Sequence, residues 1–455
     1  MTDLNFDVVV IGGGSAGLAA AAEAGQAGAT VAIIDNQREA GGQIYRAAER
    51  RAGPHDPEAT YGATLVQQAR EAGMHWLGGQ SVWQVTPARE VLCTDGSTAR
   101  RVRARRLILA TGAQERPMPI PGWTLPGVMT AGAGQILLKS AKTVPTGDVW
   151  LAGSGPLLLL LASQWLAAGV AIRGILDTTP RSNLWHALPH LPAALPAWRE
   201  LLRGVRWRNG LRHAGIPWHR VDGGLQAIGR DRIEGVSWQT AGQQHEHRAD
   251  ALFLHQGVIP HARLLQSMGG AMHWDEVQDC FTPTVDSWYE SSIPGVAVVG
   301  DSGGIAGAGA AETQGRLGAL AALYALGLID VVKRDAREHP LRRQLARQLC
   351  IRPFLDAAFA PAGEYLAPKD ESVTVCRCEC VTVGQVREAL DHGAHTVQEV
   401  KLATRCAMGP CQGRQCATTL NHIVTHFTGT TQQPLKVRSP AEPVTLGAWA
   451  DLYSE

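Results

Sequence analysis

Asp7-Val8-Val9-Val10-Ile11-Gly12-Gly13-Gly14-Ser15-Ala16-Gly17-Leu18 is the stretch that decides the fold. A β-branched apolar run meets a glycine turn, and an alanine-rich helix pattern follows through Glu23. Gly12, Gly14 and Gly17 fit G-x-G-x-x-G. Gly12 permits the tight turn, Gly14 lets a pyrophosphate approach the backbone, and Gly17 lets helix and strand pack closely. The helix start at Ser15 and Ala16 presents unpaired N–H groups and partial positive charge to phosphates. The next apolar run, Thr30 to Ile34, ends at Asp35, beside Asn36 and 23 positions after Gly12. An acid there accepts hydrogen bonds from ribose hydroxyls. The stretch reads as a dinucleotide-binding strand–helix–strand unit.

The chain has 455 residues, enough for roughly two to four domains. Hydrophobic content of 45% supports a large core, and a net charge of +1 argues against a dedicated nucleic-acid binder. Val149 to Ile172 is uncharged for 24 residues, but its Gly153-Ser154-Gly155-Pro156 turn makes it strand, turn and buried helix. An integral membrane protein is therefore not expected. Met1 to Asn5 enters the first strand without a basic leader, so a cytoplasmic location is expected.

Further turns follow the first. Ala40-Gly41-Gly42-Gln43-Ile44-Tyr45-Arg46 lies near where the first helix points, and Leu107-Ile108-Leu109-Ala110-Thr111-Gly112 is a strand running into small residues. A second nucleotide-type unit begins at Asp148, with Gly153 24 positions before Asp177. It departs from the pattern at Leu158, where the third glycine belongs, and at Pro156, which lacks an N–H. It either binds NAD or another adenine nucleotide or is vestigial. Asp177 favours NAD over NADP. Trp185, Trp198, Trp207, Trp218 and Trp238 lack a repeating spacing and are read as packing of an α+β insertion. Gly300-Asp301 ends a strand, with a helix expected from Glu312 to Leu328. The basic stretch 331–368 is expected to be a solvated connector.

Six of nine cysteines lie between Cys376 and Cys416. Cys376-Arg377-Cys378 and Cys411 to Cys416 have C-x-C and C-x₄-C spacings, unlike the C-x₂-C knuckles of zinc sites. Nearby glycines leave N–H groups free for sulfide, which favours a [2Fe–2S] cluster over zinc. Cys376, Cys378, Cys411 and Cys416 are the chosen ligands, with Cys380 and Cys406 spare; the rival set has Cys406 in place of Cys416.

Together these motifs resemble the two-dinucleotide-domain flavoproteins. More narrowly, Gly41 to Arg46, Leu176 to Pro180, His255 to Pro260 and Cys376 to Glu379 are similar to the FAD-binding α subunits of heteromeric dehydrogenases: opine oxidase, hydrogen cyanide synthase, and D-hydroxyproline and proline dehydrogenases. The resemblance implies FAD held by Gly12, Gly14, Ser15, Ala16, Gly17, Asp35, Asn36, Gly42, Gln43, Arg46, Ala110, Thr111, Gly112, Gly300 and Asp301. It implies an α/β fold of two Rossmann-like FAD/NAD(P)-binding domains plus a small, mainly helical C-terminal iron–sulfur domain. The expected divisions are 1–125 with 250–330 for FAD, 126–249 for the second dinucleotide domain, 331–368 for the connector and 369–455 for the cluster. A flavin-containing β subunit would oxidise the amino acid, imino acid or opine, with a small third iron–sulfur subunit as a further partner. The electron acceptor would place the complex at the periphery of the inner membrane. Cys380 departs from the acidic residue usual in the family, which touches the ligand choice or the potential. No motif marks a general base, so the catalytic residues are unknown. The stretch 149–250 has no cysteine, which argues against dithiol reduction. Two other readings stand: a self-contained NAD(P)H-dependent ferredoxin-type reductase, and a zinc-bearing scaffold with a structural flavin.

Overall fold

The computed structural model describes residues 4–452. The chain forms two compact units. Met1–Gln114, Ile259–Leu349 and Lys436–Glu455 make the first; Glu115–Val258 and Cys350–Leu435 make the second.

The first unit is built on a seven-stranded sheet. Strands His75–Gly78, Val31–Asp35, Leu4–Ile11 and Ala99–Leu109 lie side by side in that order and run parallel. Val8, Val9, Val10 and Ile33 have no exposed surface, which explains why the opening strand is apolar on both faces. On its far edge Ala99–Leu109 serves two partners. Leu107–Leu109 pairs in parallel with Val296–Val298, while the earlier residues pair antiparallel with Glu90–Thr94. Helix Ser15–Gln26 is buried from Ala16 to Ala24. Its alanines let helix Ala308–Ala325 come close: a Cβ on Gly315 would sit 2.1 Å from the Ala16 carbonyl oxygen.

The second unit repeats the plan. Trp218–Arg220, Ile172–Asp177, Val149–Ser154, Ala251–Gln256 and Val128–Thr130 form a parallel sheet in that order. Helix Pro156–Ala167 buries Trp165 edge-on against Phe253, with ring centroids 4.5 Å apart. A three-stranded antiparallel sheet spans 223–248. Residues 350–435 add short helices and a two-stranded hairpin, Thr374–Cys376 with Val381–Thr382. Reciprocal caps at Thr382/Gln385 and Thr396/Glu399 open helices Val383–Asp391 and Val397–Thr404. Val386, Val400, Leu420 and Ile423 fill the core beneath them. No helix among the described residues is long and apolar enough to cross a membrane.

Three expectations are corrected. The connector begins with a 19-residue helix, Val331–Leu349, within the first unit. Some of its arginines are engaged, while Arg343 and Arg347 are exposed as expected: Arg337 pairs with buried Glu23, and Arg334 lies over Tyr324 and Trp288, 4.4 and 4.9 Å from the ring centroids. The stretch is helical because these partners, distant in sequence, hold it down. Residues 436–452 leave the cysteine region for the first unit. There Ala441 N–H donates to the Trp83 carbonyl at 2.7 Å, Arg263 bonds Glu442, and Trp449 stacks on Trp83. Of the insertion's tryptophans, Trp238 is fully buried but Trp185 and Trp198 are exposed.

Trp165→Ala removes a fully buried tryptophan from the second sheet's core and should destabilise the protein by about 3–5 kcal/mol. Denaturant unfolding followed by circular dichroism checks this; an unchanged midpoint would contradict the packing described.

Candidate functional site

The expected FAD residues converge at the carboxyl ends of the first unit's parallel strands. Gly12 has φ +106°, and a Cβ there would lie 2.3 Å from the Ala110 carbonyl oxygen. A Cβ on Gly17 would lie 1.9 Å from the Gly12 carbonyl oxygen. Gly14 is the N-cap of helix Ser15–Gln26 and no side chain caps it. Its first N–H groups, at Ser15 and Ala16, therefore remain available to a phosphate. The Gly41-Gly42 turn returns to this point. Gly41 N–H donates to the Gly13 carbonyl at 2.8 Å, and a Cβ on Gly42 would lie 2.7 Å from Gly14 Cα. Gly300 sits against Ala16, 2.8 Å from its Cβ if it carried a Cβ of its own.

The polar residues around the cradle are held in place by their neighbours. Asp35 accepts from the N–H of Gly13 at 2.6 Å and of Gln37 at 2.7 Å. Burial raises its pKa, opposed by those two bonds and by Arg46. Asp35 is thus committed to the backbone. Arg46 donates to Gln37 and Gln43, and its Nε is buried without a partner. Asn36 accepts from Gln37. Thr111 Oγ1 donates to the His261 carbonyl at 2.6 Å, and Gly112 accepts from His261 N–H. Asp301 Oδ1 accepts from Ala306 and Gly307 N–H. Trp76 went unseen in the sequence: its indole lies against Gly13, where a Cβ would meet the ring at 2.6 Å. The parallel pairing of Ile33 with Trp76 puts it there, and only strand order reveals that. The cradle therefore fits a dinucleotide: glycines stand where any side chain would fill it, and a helix N-terminus is left uncapped.

The second unit's turn has the same build and different chemistry. A Cβ on Gly153 would lie 1.8 Å from the His255 carbonyl oxygen. Behind the turn, His255 Nδ1 bonds Glu115 at 2.7 Å, Gln256 donates to Thr178 at 2.7 Å, and Thr179 donates to Ser154 at 2.9 Å. Asp177 accepts from Thr179 N–H and from the Trp218 indole.

Five cysteines gather between the hairpin and the start of helix Ala417–Thr428. The sulfurs of Cys376, Cys406 and Cys416 lie within 4.8 Å of one another, all buried. Cys378 and Cys411 interact as a second pair. The Cys406 and Cys416 thiols donate to Cys376 sulfur, as do the N–H groups of Ala407 and Glu379, holding its pKa well below the usual thiol range. Sharing with Cys376 pushes Cys406 and Cys416 up. A Cβ on Gly409 would lie 2.2 Å from Cys378 Cβ, so the two loops close only because position 409 has none. Cys380 is exposed and points to the Arg377 carbonyl. Cys406, expected to be spare, is in the cage. An all-thiol donor set receiving backbone N–H bonds fits an iron–sulfur cluster.

These features define an oxidoreductase class: two dinucleotide units on one chain, joined to a cysteine domain. Residues 6–315 match the family described as Pyridine nucleotide-disulphide oxidoreductase, and residues 374–426 match the BFD-like [2Fe-2S] binding domain. The chain is 40% identical to an opine oxidase subunit of Rhizobium meliloti, over 98% of this chain and 88% of that one. It is 32% identical to the HcnB subunit of hydrogen cyanide synthase of Pseudomonas aeruginosa, over 99% and 100%. L-proline dehydrogenase from P. horikoshii shares the fold, with a TM-score of 0.71 at 21% identity over 98% of this chain and 79% of that one. The chain belongs to the pyridine nucleotide-disulphide oxidoreductase family, is FAD-dependent, and carries a BFD-like [2Fe-2S] binding domain.

Gly42→Ala forces a side chain into a left-handed position, a strain of about 1–2 kcal/mol before the clash with Gly14 is counted. FAD affinity should fall at least about tenfold, measured by flavin retained through gel filtration. Full retention would contradict the cradle.

Proposed function

We propose that this chain is the electron-transferring FAD/[2Fe–2S] α subunit of a heteromeric dehydrogenase that oxidises an amino acid, an imino acid of the proline or hydroxyproline type, or an opine. One observation carries the reading: a dinucleotide cradle and an all-thiol cage occur in a single chain whose full length aligns with the opine oxidase subunit. Substrate oxidation then belongs to a flavin-containing β subunit, with a small third iron–sulfur subunit as a further partner. Both relatives are named as subunits, which supports this division. The setting is cytoplasmic, peripheral to the inner membrane.

When bound, the flavin and the cluster together supply conversion between two-electron and one-electron transfer. The chain's residues supply position. The N–H groups at Ser15 and Ala16 would hold the pyrophosphate, Asp35 and Asn36 would bind the ribose, and Thr111 and Asp301 would hold the flavin side. Arg46 and Gln43 close the turn over it. Cys376 with Cys416, and Cys378 with Cys411, would hold the cluster, and Cys406 stands beside the first pair. At the Gly153 turn, Asp177 accepts from the Trp218 indole as well as from Thr179 N–H, so an adenine nucleotide there would share that carboxylate with an indole.

The close backbone approach at Gly153 favours a second reading, a self-contained NAD(P)H-dependent reductase. Anaerobic titration separates the two. NADH alone should leave the flavin oxidised on the turnover timescale, and rapid bleaching would overturn the subunit reading. Iron with acid-labile sulfide is expected on metal analysis; zinc alone would mark the scaffold reading instead. For the ligands, Cys416→Ser should lose the visible cluster absorbance and Cys406→Ala should keep it. The reverse pattern would put Cys406 in Cys416's place.

A further inference from the structure

Residues 182–213 of the second unit are inverted in size. Asn183, Ala187, Ala194 and Ala197, mostly small, face inward and are buried. Ala194 and Ala197 pack on Ile351, and Asn183 bonds the Ala360 carbonyl at 2.8 Å. Leu201 and Leu211 also turn inward, but most of the large apolar side chains face out: Leu184, Trp185, Leu195, Trp198, Leu202 and Val205, with Trp185 73% and Trp198 52% exposed. Such an apolar seam on a surface marks an interaction site.

The charge around the seam says what it meets. Six arginines and one glutamate lie between 181 and 213, in a chain whose net charge is only +1. On helix Trp198–His213, the 3.6-residue repeat puts Trp198, Leu202 and Val205 on one line. Arg199 and Arg206 flank that line on one side, Arg208 and Arg212 on the other. Glu200 falls on the opposite face with buried Leu211. Pro189, Pro192 and Pro196 break the preceding stretch into single turns, so large side chains protrude from a series of short helices. A second copy would bring like charges together. An apolar seam bearing tryptophans between arginine flanks is the pattern of a helix that lies in a bilayer interface, its apolar side chains among acyl chains and its arginines at anionic headgroups.

We propose that residues 182–213 dock this chain on an anionic phospholipid surface. The seam inserts Trp185 and Trp198 at the headgroup boundary, and the arginines select negative lipid. The proposal stands independently of which substrate the enzyme oxidises.

Flotation of the purified full-length holoprotein with vesicles tests it. Binding is expected to phosphatidylcholine mixed with phosphatidylglycerol, to fall in high salt, and to be weak on phosphatidylcholine alone. Trp185→Ala with Trp198→Ala, and separately Arg199→Glu with Arg206→Glu, should each cut partitioning by at least about tenfold. All four sites are exposed, so thermal unfolding should match wild type. The proposal is overturned if the wild-type chain does not float with phosphatidylglycerol vesicles, or if both variants bind like wild type. It is equally overturned if light scattering shows a dimer that the tryptophan variant dissolves, or if an acidic protein competes for the seam and vesicles do not.

Discussion

Backbone meets backbone at Gly12, and the first unit is arranged around that contact. The Ala110 carbonyl stands where a Cβ would be, the Gly12 carbonyl stands where a Cβ of Gly17 would be, and Gly42 closes on Gly14. Each approach is closer than any side chain allows. Together they draw a helix start, a turn and a strand end, from three parts of the chain, to one place. The Ala16 carbonyl against Gly315 adds the long helix behind. Such contacts contribute little attraction of their own. They fix position, and the packing of Val8, Val10 and Ile33 supplies the stability that keeps them.

The second unit shows that this geometry is separable from the chemistry laid on it. Gly153 repeats the close approach, against the His255 carbonyl in place of Ala110. Yet Asp177, the counterpart of Asp35, holds an indole and one backbone N–H, while Asp35 holds two backbone N–H groups. Trp218 reaches Asp177 from the adjoining parallel strand, as Trp76 reaches Gly13 from its own. The two tryptophans occupy matching places in the two sheets and act differently: one shapes the turn, the other occupies the acid. A shared motif therefore predicts a shared fold more securely than a shared ligand.

What the sequence revealed follows from the range of the forces involved. The strand–turn–helix units were legible because their patterns are local: β-branched runs, glycines at fixed offsets, an acid at a strand end. The helix over 331–349 was not, since its arginines read as solvated charge until Trp288, Tyr324 and Glu23 are brought to them by the fold. The tail was missed for the same reason, as Trp83 lies more than 350 positions before the Trp449 it stacks on. Trp185 and Trp198 misled in the opposite sense. Tryptophan is usually a packing residue, and only the small residues facing inward beside them show that these two point away.

The cysteine cage obeys the rule that governs the opening loop. C-x-C and C-x₄-C spacings say which residues are thiols but not how two loops bring them together. The structure supplies two conditions. Gly409 has no Cβ, which lets the second loop come against Cys378, and the Arg405–Glu379 ion pair ties the loops at 2.9 Å. Cys406 then falls beside Cys376 and Cys416, because it follows directly on Arg405, whose left-handed backbone turns the chain inward. Its burial is thus a consequence of loop closure, independent of whether it binds iron. The Cys406 thiol placed there donates to the Cys376 sulfur. Glycine at the contact and thiols around it are one arrangement: the missing side chain sets the distance, and the distance decides which sulfurs act together.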